Sequence, residues 1–137
     1  MAKSEETRAL SVREPFSVLV ADDEEGYRDA LAELLAGEGY RVFCTDCGMG
    51  ALQVLQVKRI HLGILDMHMS DITGIEIIST LSSLPRAVPA ILMTADHSKE
   101  TRLKAMGVGA FTVVTKPFTP DAVKRIVRQI IHKFYEN

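Results

Sequence analysis

Five short apolar runs rich in β-branched residues recur along this chain, and helical periodicity follows each. The runs are SVLVA (17–21), YRVFCT (40–45), HLGILD (61–66), AILMT (90–94) and AFTVV (110–114). A parallel neighbour is reached only through a long crossover, so strands regularly separated by helices predict a parallel sheet covered on both faces, with right-handed connections. Tyr27, Leu31, Leu34 and Leu35 fall on one helical face, and Gly37 and Gly39 end that helix. Ala51, Leu52 and Leu55 mark a second helix, and Ile75, Ile78 and Leu81 a third, closed by Pro85. SKETRLKAM makes a short polar fourth, stopped at Gly107. The fifth opens with Thr119 as N-cap, Pro120 in the first turn and Asp121 at the positive end of the dipole. Val123, Ile126, Val127, Ile130, Ile131 and Phe134 are its apolar face; Lys124, Arg125, Arg128 and Lys133 are its solvated one. The reading is one α/β domain over residues 16–137, after a polar lead-in, MAKSEETRALSVREP, over 1–15.

Charge and hydropathy narrow the partners. The 137 residues carry a net charge of −2, with no basic excess to suggest direct nucleic-acid binding. No apolar run approaches the roughly 20 residues that span a bilayer, and the lead-in lacks the apolar core of a signal peptide. A cytoplasmic protein with no membrane contact is expected. Cys44 and Cys47 form a CxxC, but a zinc site needs four ligands and no second pair exists. They read as reduced cysteines where a strand meets a loop. None of the four histidines forms a ligand pair at metal-binding spacing.

In an open parallel sheet the chemistry lies beyond the carboxyl ends of the strands. The first run ends in Asp22-Asp23, with Glu24 beyond; the third ends in Asp66. The fourth ends in Thr94, followed by the small Ala95, and the fifth is followed by Lys116-Pro117. Each has a dull explanation alone: a helix cap, a turn hydroxyl, a surface charge. If the strands are neighbours, three carboxylates, a hydroxyl and an ammonium meet at one edge. Clustered acids keep protons or are compensated by a cation, and hard oxygens without His or Cys suit Mg²⁺. Such a site fits phosphoryl transfer, with an aspartate as nucleophile and the lysine and threonine facing the phosphoryl oxygens. Asp66, a single acid on a central-looking strand, is assigned as nucleophile. Adjacent Asp22 and Asp23 are better suited to holding the metal.

VLVADDEE, GILDMHMSDITGIEII, ILMTA and VVTKPF, in this order and spacing, resemble the receiver domains of two-component response regulators, over about Phe16 to Phe134. The resemblance implies a flavodoxin-like fold, five strands in the order 2-1-3-4-5 with five flanking helices, an order that the family's chemotaxis member also has. It implies that Asp66 accepts a phosphoryl group from a phosphohistidine on a histidine kinase or phosphotransfer protein. Asp23, Asp66 and the backbone carbonyl of His68 would bind Mg²⁺, with Asp22 acting mainly through water. Thr94 and Lys116 would contact the phosphoryl group, Ala95 leaves room for the donor, and Lys116-Pro117 matches a Lys-Pro bond that is often cis.

Three positions depart from the pattern. Ser70 stands where proline is usual, and Val113 where many members place the Tyr or Phe that reports the threonine's movement. Phe111, two residues away, is expected on the same face as Val113. His68 stands where side chains tune the lifetime of the phosphoryl group. The reading is a phosphorylation switch that changes the surface of helix 4, strand 5 and helix 5 for an effector, and slowly removes its own phosphate. The rivals are a receiver-shaped scaffold that works without phosphate and an aspartyl-nucleophile phosphohydrolase. The hydrolase expects a second acid where His68 stands. Neither GxxxxGK[ST] nor a complete dinucleotide fingerprint is present. With no second domain after Asn137, a stand-alone receiver or one cut from a longer regulator is expected.

Overall fold

The computed structural model describes residues 14–136. The lead-in expected over 1–15 lies outside them, apart from exposed Glu14 and Pro15. Among the described residues, five strands alternate with five helices: β1 (Ser17–Ala21), α1 (Glu25–Gly37), β2 (Arg41–Thr45), α2 (Gly48–Val57), β3 (Leu62–Asp66), α3 (Gly74–Ser83), β4 (Ala90–Thr94), α4 (Lys99–Gly107), β5 (Thr112–Thr115) and α5 (Pro120–Tyr135). All strand pairs are parallel, in the order β2-β1-β3-β4-β5. That is the doubly wound order expected.

The central strands β1, β3 and β4 are buried at every position, whereas the edge strands β2 and β5 are partly open. Continuous apolar runs are what two covered faces require, because successive side chains point to opposite sides. Val18, Val20, Ile64 and Met93 pack against Leu31 and Leu35 of α1 and Val123 and Val127 of α5. Leu19, Ala21, Leu65 and Leu92 pack against Ala51 of α2, Ile77, Ile78 and Leu81 of α3, and Ala105 of α4. Each fully buried Leu or Ile contributes about 1.5–3 kcal/mol, so the two layers are the main stabilising term.

The helix starts follow from local chemistry. Thr119 Oγ1 accepts the Ala122 N–H, with Pro120 just inside the helix. Ser98 caps α4, and Thr73 and Glu76 form a reciprocal capping box on α3. The Cys47 sulfur accepts the Gly50 N–H at 3.4 Å and caps α2; Cys44 is exposed on the edge strand, and both thiols are free. The basic face of α5 is solvated, with Arg128 hydrogen-bonded to Glu38 at 2.8 Å.

The structure corrects two expectations. The fifth strand runs from Thr112 to Thr115, later than residues 110–114. Phe111 does not share a face with Val113: it packs with Val114 and edge-on to Phe134 on the α5 side, while Val113 is buried on the α3–α4 side. The pleat that makes alternate residues co-facial has not begun at Phe111. Gly109, at φ 110°, turns the chain into the strand through backbone conformations that L side chains rarely adopt. Among the described residues, no helix is long and apolar enough to cross a membrane.

Candidate functional site

The ends of β1, β3 and β5 meet because β1 and β3 are direct neighbours and Lys116 reaches across from beyond β5. Asp22 is 2% and Asp66 6% exposed, and Lys116 is 8% exposed. The Lys116 ammonium lies 3.0 Å from Asp22 Oδ2, 3.1 Å from Asp66 Oδ1 and 2.8 Å from Glu24 Oε1. Of these contacts, that with Glu24 has full hydrogen-bond geometry. The other two are close ion pairs, and Asp22 Oδ2 is a buried oxygen with no hydrogen bond. The ammonium also lies over the Tyr27 ring, 4.3 Å from its centroid. Tyr27 in turn packs on Phe118, just past the Lys116-Pro117 peptide, which is cis.

The start of α1 is held to this group by its own backbone. Glu24 N–H donates to Asp22 Oδ1 at 2.9 Å, and Arg28 donates to the Asp22 carbonyl at 2.9 Å. Beyond β3, Gly74 passes so close to the Asp66 carbonyl that a side-chain carbon there would collide with it. Asp71 then ties the loop to α2, accepting N–H bonds from Gly48 and Met49 at 2.8 Å each. These bonds hold the Asp71 carboxyl below the usual carboxylate range.

Charge crowding shows in the protonation equilibria. Burial raises the Asp66 pKa to about 6; Lys116 pulls it down, and Asp22 and Asp23 push it up. For Lys116, burial disfavours the charge, but contacts with Glu24, Asp22 and Asp66 outweigh it and leave the ammonium more basic than usual. Lys116 is therefore a fixed positive charge at neutral pH.

Carboxylate oxygens of Asp22, Asp23, Glu24 and Asp66 lie within 4.8 Å of one another. Four hard anionic donors, one with a buried oxygen lacking a hydrogen bond, against a single ammonium fit a small divalent cation such as Mg²⁺. The cation would supply charge compensation and a Lewis-acid contact for a phosphoryl oxygen.

The other expected residues lie around this group. Thr94 is buried, and its hydroxyl accepts the Asp96 N–H at 3.0 Å. Thr94 is in phase with Leu92, which faces α3, whereas Asp66 is in phase with Ile64, which faces α1. The hydroxyl thus belongs to the β4–α4 loop in this state; a hydroxyl that accepts one bond still has a proton to donate. Asp96 also accepts from Ser98 N–H and, at 2.6 Å, from Thr101, bonds that lower its pKa. Ala95, His68 and Ser70 are exposed beside the site.

Sequence reasoning gave no role to Glu24, Tyr27 or Asp71. Glu24 had a signal, a third consecutive acid at a strand end. Tyr27 read as one more apolar position on a helix, and the α2 partners of Asp71, Gly48 and Met49, are more than twenty residues away.

A family model described as the response regulator receiver domain matches residues 18–128, a span that takes in every residue of this group. The regulatory protein AtoC of Escherichia coli is 32% identical over 114 residues, 83% of this chain and 25% of that protein. Response regulator RR06 of Streptococcus pneumoniae is 31% identical over 120 residues, 88% of this chain and 55% of that one. The chain therefore spans a quarter to about half the length of these curated relatives. The chemotaxis response regulator CheY4 of Vibrio cholerae superposes with a TM-score of 0.79 at 26% identity, over 85% of this chain and 98% of its own.

Proposed function

The chain belongs to the response regulator receiver domain family, and from that premise we propose that it is a phosphoacceptor switch in which Asp66 is the acceptor. An Asp66 carboxylate oxygen attacks the phosphorus of a phosphohistidine on a histidine kinase or phosphotransfer protein. The new P–O bond forms as the P–N bond breaks, and the departing imidazole takes a proton from solvent. The observation that carries this reading is the Lys116 ammonium, 3.1 Å from the Asp66 carboxylate and charged at neutral pH, where it offsets charge on the phosphoryl oxygens.

Asp23, Asp66 and the His68 carbonyl would hold Mg²⁺, with Asp22 acting through water and Glu24 close enough to join. Thr94 turns its hydroxyl toward the phosphoryl group, and α4, β5 and α5 present a changed surface to an effector. Reversing a 1:99 population requires about 5.5 kcal/mol of preference for the active state, within reach of a few charge-assisted hydrogen bonds. The same site slowly hydrolyses its own acyl phosphate. We place the protein in the cytoplasm, where such donors act.

Acetyl phosphate with Mg²⁺ should add one phosphoryl mass to the wild-type chain and none to Asp66→Ala, read by intact-mass spectrometry. Equal uptake by both overturns the assignment. One observation favours a second reading, a scaffold that works without phosphate: Val113 is buried where an aromatic switch residue would stand. A scaffold would not bind beryllium trifluoride; a working receiver would.

A further inference from the structure

An ammonium has three protons to donate, and Lys116 already faces three carboxylates. A phosphoryl group on Asp66 brings further acceptors to the same ammonium, whose hydrogen bond of full geometry goes to Glu24, so the new oxygens compete with the contacts already made. The contacts are not equivalent. Asp22 is buried, and its Oδ2, without a hydrogen bond, has the ammonium as its close counter-charge. Stripping Lys116 from it would leave a desolvated charge uncompensated. Asp66 is the residue modified. Glu24 is different: its side chain is 58% exposed, so its carboxylate rehydrates at once when released.

We propose that Glu24 is the exchangeable partner of Lys116, a positioning residue that aims the ammonium at Asp66 in the resting state and cedes it to the phosphoryl group. The Tyr27 ring, 4.3 Å from the ammonium, is a cation–π neighbour that holds it near Asp66 during the exchange. Glu24 thus restrains the switch: its carboxylate competes with the phosphoryl group for one proton donor and repels the group's negative charge. The role of Glu24 rests on Asp66 being the phosphoacceptor.

The test is a fluorine NMR titration with beryllium trifluoride on the full chain, comparing wild type, Glu24→Gln and Glu25→Gln. Glu25 is an exposed acid next in sequence, in the first turn of α1, and controls for loss of charge alone. Mg²⁺ is raised until each variant's own metal-binding curve is saturated. Glu24→Gln should lower the half-saturating fluoride-complex concentration about three- to tenfold, and Glu25→Gln should leave it within about twofold. In the resting protein, the Lys116 ε-methylene signal, displaced by the Tyr27 ring current, should move in Glu24→Gln and not in Glu25→Gln. Unchanged or weaker binding by Glu24→Gln, or an equal gain in Glu25→Gln, overturns the role of Glu24. Absence of a bound-fluoride signal in the wild type overturns the phosphoacceptor reading instead.

Discussion

A carboxyl with a pKa near 6 spends mildly acidic solution half protonated, and Asp66 is such a group. Its unfolded-state value is near 3.8, so the folded protein favours the protonated form. The associated stability is fully present below about pH 4 and is lost as pH rises through 6. At pH 8, without divalent ions, wild type carries the whole penalty and Asp66→Asn carries none. The variant should be more stable by up to about 3 kcal/mol at pH 8, with the gap closing near pH 4, measured by urea unfolding in a chelator. A gap independent of pH would contradict the electrostatic account. At this scale the sequence discloses the residues whose chemistry is rare in their setting. A carboxylate ending an apolar run has few explanations, so Asp22, Asp23 and Asp66 were readable, and Lys116 by its place after a strand. Tyr27 was not: a ring on a helix face looks the same whether its neighbour is a leucine or an ammonium.

Among the elements, α3 is the one whose start fixes the loop after Asp66. Its capping box satisfies two N–H groups that the first turn would otherwise leave unpaired. Thr73→Ala should cost about 1 kcal/mol, read as a lower denaturant midpoint at unchanged slope. A neutral result would mean that Asp71, which holds the same loop through α2, anchors it alone. Helices with strong periodicity and a capping residue, such as α5, were legible almost to their ends. The short β5 was not, because residues 110–114 have the right composition but Gly109 and the bend at Phe111 delay the pleat. Composition locates apolar segments; only backbone geometry says which residue first lies in register with a neighbour, here Thr112 beside Ile91.

For the whole molecule, alternation of strands and helices carried the architecture, since five apolar runs spaced by helices leave few right-handed ways to cover both faces. Strand order did not follow from alternation. It came with the family's motifs, and convergence of the acids depends on it: β1 must lie beside β3 for Asp22 to approach Asp66. The charge imbalance at that edge is also global in its effect, because a cation that binds only the folded chain stabilises all of it. Mg²⁺ at ten times its dissociation constant should add about 1.4 kcal/mol, a rise of a few degrees in Tm by calorimetry. Asp23→Asn should abolish most of that rise. An equal rise in the variant would put the cation elsewhere.

Thr94 is tethered, and the tether leads outward. Its hydroxyl grips the Asp96 amide, and Asp96 clasps Ser98 and Thr101 at the mouth of α4. Pull the hydroxyl toward the acids and that knot must loosen. If the domain switches as proposed, α4 is the first element that motion reaches, and the sheet itself need not bend.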